Sequence, residues 1–126
     1  MRVLIADSSP FVGTALGWEL EGFGVETKVV DSIARVKVEI EAIQPDLLVT
    51  ELFLKDGDFL VLAAYRPHFP ILLLSTHQVA VDDADVISAV DACLLKPIKA
   101  IDLISIANKL VFKRPHCLNQ TEQLKV

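Results

Sequence analysis

Four points in this chain carry side chains suited to ion or phosphoryl chemistry, and each closes an apolar run. Asp7 and Ser8 follow "RVLIA", Glu51 follows "DLLVT", Ser75 and Thr76 follow "PILLL", and Lys96 follows "ACLL". Carboxylate oxygens are ligands for a hard cation, and carboxylates, hydroxyls and one ammonium together suit a phosphoryl group. Polar residues at the rim of a sheet are ordinary, but polar groups at all four ends, with a Lys-Pro step at the last, favour a site or the remnant of one. That chemistry requires the four ends to meet, so the intervening elements must bring them to one edge.

The elements have that arrangement. Residues 2–6, 25–30, 46–51, 70–75 and 92–95 read as strands, short and rich in β-branched or apolar residues. The fourth is continuously apolar, as expected of a parallel strand covered on both faces. Between them the spacing turns helical. Val12, Leu16, Leu20 and Phe23 form one stripe in residues 11–23, with Ser8 or Ser9 as cap, Pro10 in the first turn and Gly24 as terminator. A second helix is capped by Asp31 or Ser32, turns Ile33, Val36, Ile40 and Ile43 inward and stops at Pro45. Short helices are expected at about 58–66 and 82–90. A last one at about 99–114 buries Ile101, Leu103, Ile104 and Ala107 or Leu110. Five strands alternating with five helices predict an α/β fold with a doubly wound parallel sheet, in which ligands collect at the carboxyl ends of the strands.

Composition narrows the function. The 126 residues suit one domain, and 52% apolar content is enough for a packed core. A net charge of −5 disfavours nucleic acid, whose phosphates need a basic face. No run approaches the roughly eighteen apolar residues of a membrane span. "VLIA" is too short for a signal-peptide core, so no membrane role is expected and the cytoplasm is the expected compartment. Cys93 and Cys117 then fit reduced thiols. The Gly-x-Gly of "EGFGVE" precedes a strand and is not a dinucleotide loop. The Gly-xxx-Gly of "GTALG" lies in a soluble helix. His116-Cys117 has poor spacing for zinc. No catalytic triad or Walker loop is present, and no enzyme activity is expected.

Five motifs, in order, resemble those of response-regulator receiver domains, the CheY-like modules of two-component signal transduction. They are "VLIADSSP", Leu16, Leu20, Gly24 and Val25, "PDLLVTELFLKDGD", "PILLLST" and "CLLKPI". The resemblance spans residues 1–114 and leaves 115–126 as a polar tail or the start of a linker. It implies a flavodoxin-like sheet in the order 2-1-3-4-5, a protein partner such as a histidine kinase or a downstream signalling protein, and docking or homodimerisation through the fourth and fifth helices. It also gives the polar residues roles. Glu51 stands at the phosphoacceptor position, where the family has Asp. Asp7 and Ser8 stand where the family has an acid pair for Mg²⁺. Ser75 is the switch hydroxyl, Lys96 the phosphate contact, and Cys93 replaces an aromatic rotor. Lys55 stands at a proline and Phe59 at a glycine.

These departures bear on the chemistry. The metal set shrinks to Asp7, Glu51 and a carbonyl at Phe53, so Mg²⁺ binding is expected to be weak at best. Glu51 is one methylene longer than Asp, and a positioning error near 1 Å costs in-line transfer roughly 100-fold. Glu51 is expected instead to reach Lys96 and to imitate part of a phosphate's charge. The reading is a divergent receiver acting by protein contact, with aspartyl phosphorylation lost or altered. The alternatives are a conventional Mg²⁺-dependent phosphoacceptor and a flavodoxin-like small-ligand domain. Asp56 and Asp58 read as structural acids. Phe11 and Trp18 lie on one side of the first helix and either flank the core or form a partner surface.

Overall fold

The central strands are apolar on both sides, and the sheet is covered accordingly. In the computed structural model, which describes residues 1–78 and 82–117, β1 (Arg2–Ala6), β2 (Glu26–Val30), β3 (Leu47–Thr50), β6 (Ile71–Ser75) and β7 (Ala92–Leu95) form one sheet in the order β2-β1-β3-β6-β7. Every pairing in it is parallel. A small antiparallel ladder of β4 (Phe53–Leu54) and β5 (Gly57–Asp58) lies between β3 and β6 in the chain. With that ladder set aside, the order is the expected 2-1-3-4-5.

Alternation divides the core into two layers. Leu4, Ala6, Leu48 and Leu73 join a cluster with Val36, Phe59, Leu62 and Val86, under α2 (Ile33–Ile43), the 3₁₀ helix Phe59–Tyr65 and α3 (Ala84–Ala89). Val3, Ile5, Leu47, Val49, Leu72 and Leu74 join Leu20, Leu103 and Ala107, under α1 (Pro10–Glu21) and α4 (Ala100–Cys117). Among the described residues the helices named here cover the sheet, and Phe59–Tyr65 is 3₁₀ rather than α.

The caps settle the alternatives left by the sequence. Ser9 caps α1 by accepting from the Val12 N–H, Ser32 caps α2 by accepting from the Arg35 N–H, and Asp58 caps the 3₁₀ helix. The first helix ends before Gly24, which takes φ 83° in the turn to β2. Gln44 in the left-handed region ends α2 ahead of Pro45.

Three expectations need correction. The buried face of α1 is Gly13, Gly17 and Leu20, with Leu16 half-buried and Val12 and Phe23 exposed. Its backbone lies close on β2: a Cβ on Gly13 would stand 2.7 Å from Val29 Cγ1, and one on Gly17 3.2 Å from Thr27 Oγ1. The "GTALG" spacing is therefore a packing device inside the domain. Ile101, expected inside, is exposed at the start of α4, while Ile104, Ile106, Leu110 and Val111 pack against the second core layer. The last helix also continues to Cys117, past the expected 114. The rest of the expected tail, 118–126, lies outside the described residues. Among the described residues no helix is long and apolar enough to cross a membrane.

Candidate functional site

The parallel register brings the polar strand ends together. The Glu51 N–H donates to the Ala6 carbonyl at 2.9 Å, fixing the end of β3 beside the end of β1. The Lys96 N–H donates to the Ser75 carbonyl at 2.8 Å, fixing the end of β7 beside that of β6. From there the lysine stem reaches across to the ends of β1 and β3. Its Nζ donates to Asp7 Oδ2 at 2.8 Å and to Glu51 Oε2 at 3.3 Å.

Each carboxylate is held at its other oxygen by main chain. The Ser9 N–H donates to Asp7 Oδ1 at 2.9 Å, and the Leu52 N–H donates to Glu51 Oε1 at 2.7 Å. The three side chains are only 18% (Lys96), 10% (Asp7) and 12% (Glu51) exposed. One ammonium shared by two shielded carboxylates leaves a formal charge of minus one. In such surroundings charge-assisted bonds are stronger than at a wet surface.

The other expected site residues divide. Ser75 is fully buried at the end of β6, and its Oγ accepts from the His77 N–H at 3.0 Å. Cys93 is half-buried against the first core layer, and burial pushes its thiol pKa up. Ser8 is exposed, and its position adds no carboxylate to the crevice. Phe53 pairs with Asp58 in the small ladder, its side chain exposed. The Phe53 ring meets the His77 ring edge-on, with centroids 6.0 Å apart, so the loops after β3 and β6 touch. That contact has no counterpart in the sequence analysis, which gave His77 no role. Both residues fall two positions past the end of a polar-terminated run, which was the available signal.

The loop after β3 is anchored away from the crevice. Asp56 accepts from the Ile33 N–H at 2.7 Å and the Ala34 N–H at 3.1 Å, capping α2 from outside. The Ile33 bond is the leading cause that holds its carboxyl pKa below the usual value. Lys55 pairs with Asp31 at 2.7 Å. Asp56 and Asp58 thus have the structural roles expected of them.

Mg²⁺ asks for near-octahedral oxygen ligands at about 2.0–2.1 Å. Among the described residues no group of three or more His, Cys, Asp or Glu side chains is placed to hold a metal ion. The two carboxylates of the crevice already share Lys96. The residues present do not fit the metal.

Comparison with known proteins follows the fold. No protein-family model matches the chain, and no curated protein matches it. Solved structures do. A CheY-like response regulator receiver domain protein from Methanospirillum hungatei JF-1 has a TM-score of 0.81 and 19% identity, over 90% of this chain and 95% of that one. The BeF3-activated N-terminal receiver domain of Klebsiella pneumoniae RstA gives 0.79 at 19% identity, over 88% and 98%. This chain has the receiver fold. A two-component response regulator from Clostridium difficile aligns over 95% of this chain and 99% of its own, with a TM-score of 0.77 and 21% identity. Within the receiver fold, Glu51, Asp7 and Lys96 lie at the carboxyl ends of β3, β1 and β7, the edge where such sheets place their ligands.

Proposed function

We propose that this chain is a signalling module of the receiver fold that works through protein contacts and has left the aspartyl-phosphate cycle. The observation that carries the reading is the Glu51 carboxylate, with Oε1 on the Leu52 N–H and Oε2 on Lys96. A nucleophilic carboxylate must present one oxygen in line with the phosphorus, with the phosphoryl charge neutralised by metal and lysine. Here both oxygens are turned to internal donors, and the lysine is spent on the acids. The conventional phosphoacceptor reading would need them released. The small-ligand reading has less support, because a groove of about 500 Å³ beside Gln44, Pro45, Tyr65 and Phe69 lies at the opposite end of the strands.

The test is intact mass after incubation with acetyl phosphate and Mg²⁺. The wild type is expected to gain no phosphate, and Glu51→Asp combined with Ser8→Asp to gain one. An acyl phosphate on wild-type Glu51 would sink the proposal. No adduct on the double variant would show that the two acids are not the cause.

A protein partner, a kinase or a downstream signalling protein, fits the surface of α1. Phe11 and Trp18 are 90% and 72% exposed there, and exposed aromatics are the usual anchors of an interface. Self-association would use α3 and α4, where Ile87, Ile101 and Phe112 are exposed. A dimer in sedimentation equilibrium that is weakened by Ile101→Asp with Phe112→Asp is the expected result. A monomer at all concentrations would remove this part of the reading.

A further inference from the structure

We infer that Lys96 is the resident cation of the crevice, taking the place of the divalent ion that the receiver fold implies, and that Ser8 makes the replacement complete. The inference rests on the reading of Glu51 given above and extends it to the metal.

Charge is the first ground. Asp7, Glu51 and Lys96 together carry minus one. A divalent ion added to that set leaves plus one, in a shielded site where the ion and the ammonium repel each other. A third carboxylate would bring the loaded site to neutrality. The position that could supply it without disturbing the core is residue 8, directly after Asp7, where the chain has an exposed, neutral serine. Serine oxygen offers a hard cation far less than a carboxylate does.

Geometry is the second ground. Asp7 and Glu51 converge on one ammonium at 2.8 and 3.3 Å. Their remaining oxygens face the Ser9 and Leu52 N–H groups. Each of the four oxygens already faces a donor hydrogen of the chain itself. The domain is therefore assembled with its crevice already neutralised to within one charge, and its conformation does not depend on divalent ions.

The test is Mn²⁺ titration followed by paramagnetic broadening of backbone amide signals, with Ser8→Asp beside the wild type. In the wild type, the Asp7, Leu52 and Lys96 amides are expected to keep their intensity at about 1 mM Mn²⁺. In Ser8→Asp they are expected to broaden selectively, with affinity at least about tenfold higher. The dispersion of the same spectra shows whether the variant is folded, and Ser8→Glu supplies a second acid should it not be. Selective broadening in the wild type would overturn the resident-cation assignment. Its absence from both folded acid variants would overturn the role of Ser8. The signalling proposal is tested separately, by phosphate uptake on Glu51.

Discussion

Lys96→Met is expected to lower the free energy of unfolding by about 3–5 kcal/mol, the cost of stranding buried charges. The magnitude depends on exposure. A surface pair of the same length contributes about 0–1 kcal/mol, because water serves both ions when they part. Here the carboxylates of Asp7 and Glu51 are 10% and 12% exposed, and both lean on the same ammonium. Removing it leaves two like charges facing each other. The Ser9 and Leu52 N–H groups still satisfy one oxygen of each but cancel no formal charge. Urea denaturation monitored by circular dichroism at neutral pH measures the loss. Adding Glu51→Gln to Lys96→Met should recover part of it, because one stranded charge is gone. A loss below about 1 kcal/mol would show that water reaches both carboxylates and that the pair behaves as a surface one.

Phe59→Ala is expected to cost about 3–5 kcal/mol, the range for emptying a buried aromatic site. Phe59 is fully buried in the layer under α2 and the 3₁₀ helix, among Leu52, Leu54, Leu62 and Phe69. Its N–H also donates to the Leu52 carbonyl at 3.0 Å and closes the loop that begins at Glu51. The residue is thus a plug for the core and a clamp on the loop beside the crevice. Domains of this size are stable by about 5–15 kcal/mol, so such a loss is a large share of the total. A change in the denaturation midpoint with the slope unchanged is the expected signature. A loss under about 1 kcal/mol would mean that Leu62 and Phe69 collapse into the space.

The strands were legible because their signals are local and redundant. "RVLIA", "DLLVT" and "PILLL" are apolar on both sides, and each is followed by a polar group at the edge where the site lies. Their order carried the site with it: once β1, β3, β6 and β7 are neighbours, Asp7, Glu51, Ser75 and Lys96 must share a rim. The predicted Glu51–Lys96 contact is present, but Asp7 takes the shorter bond to the same ammonium. Choosing between two acids within reach of one lysine depends on backbone detail that no spacing rule contains. The face of α1 was misread for a different reason. Glycine contributes nothing to a hydrophobic stripe, so the buried Gly13 and Gly17 were invisible and Val12 and Phe23 were assigned inward. The third helix was placed correctly, but it is 3₁₀ rather than α, a distinction that apolar spacing over seven residues does not make.

The outward setting of Trp18 governs how this protein will look to light. The sole indole of the chain is 72% exposed in the folded state, so the native protein should already emit like a tryptophan in water and be readily quenched by iodide. Unfolding would then change the emission little, and a melting curve drawn from it would be nearly flat. The same property makes the indole a sensitive witness of company: any protein that covers α1 should shift the emission to the blue and shield it from the quencher. A partner could be recognised by that change before its identity is known.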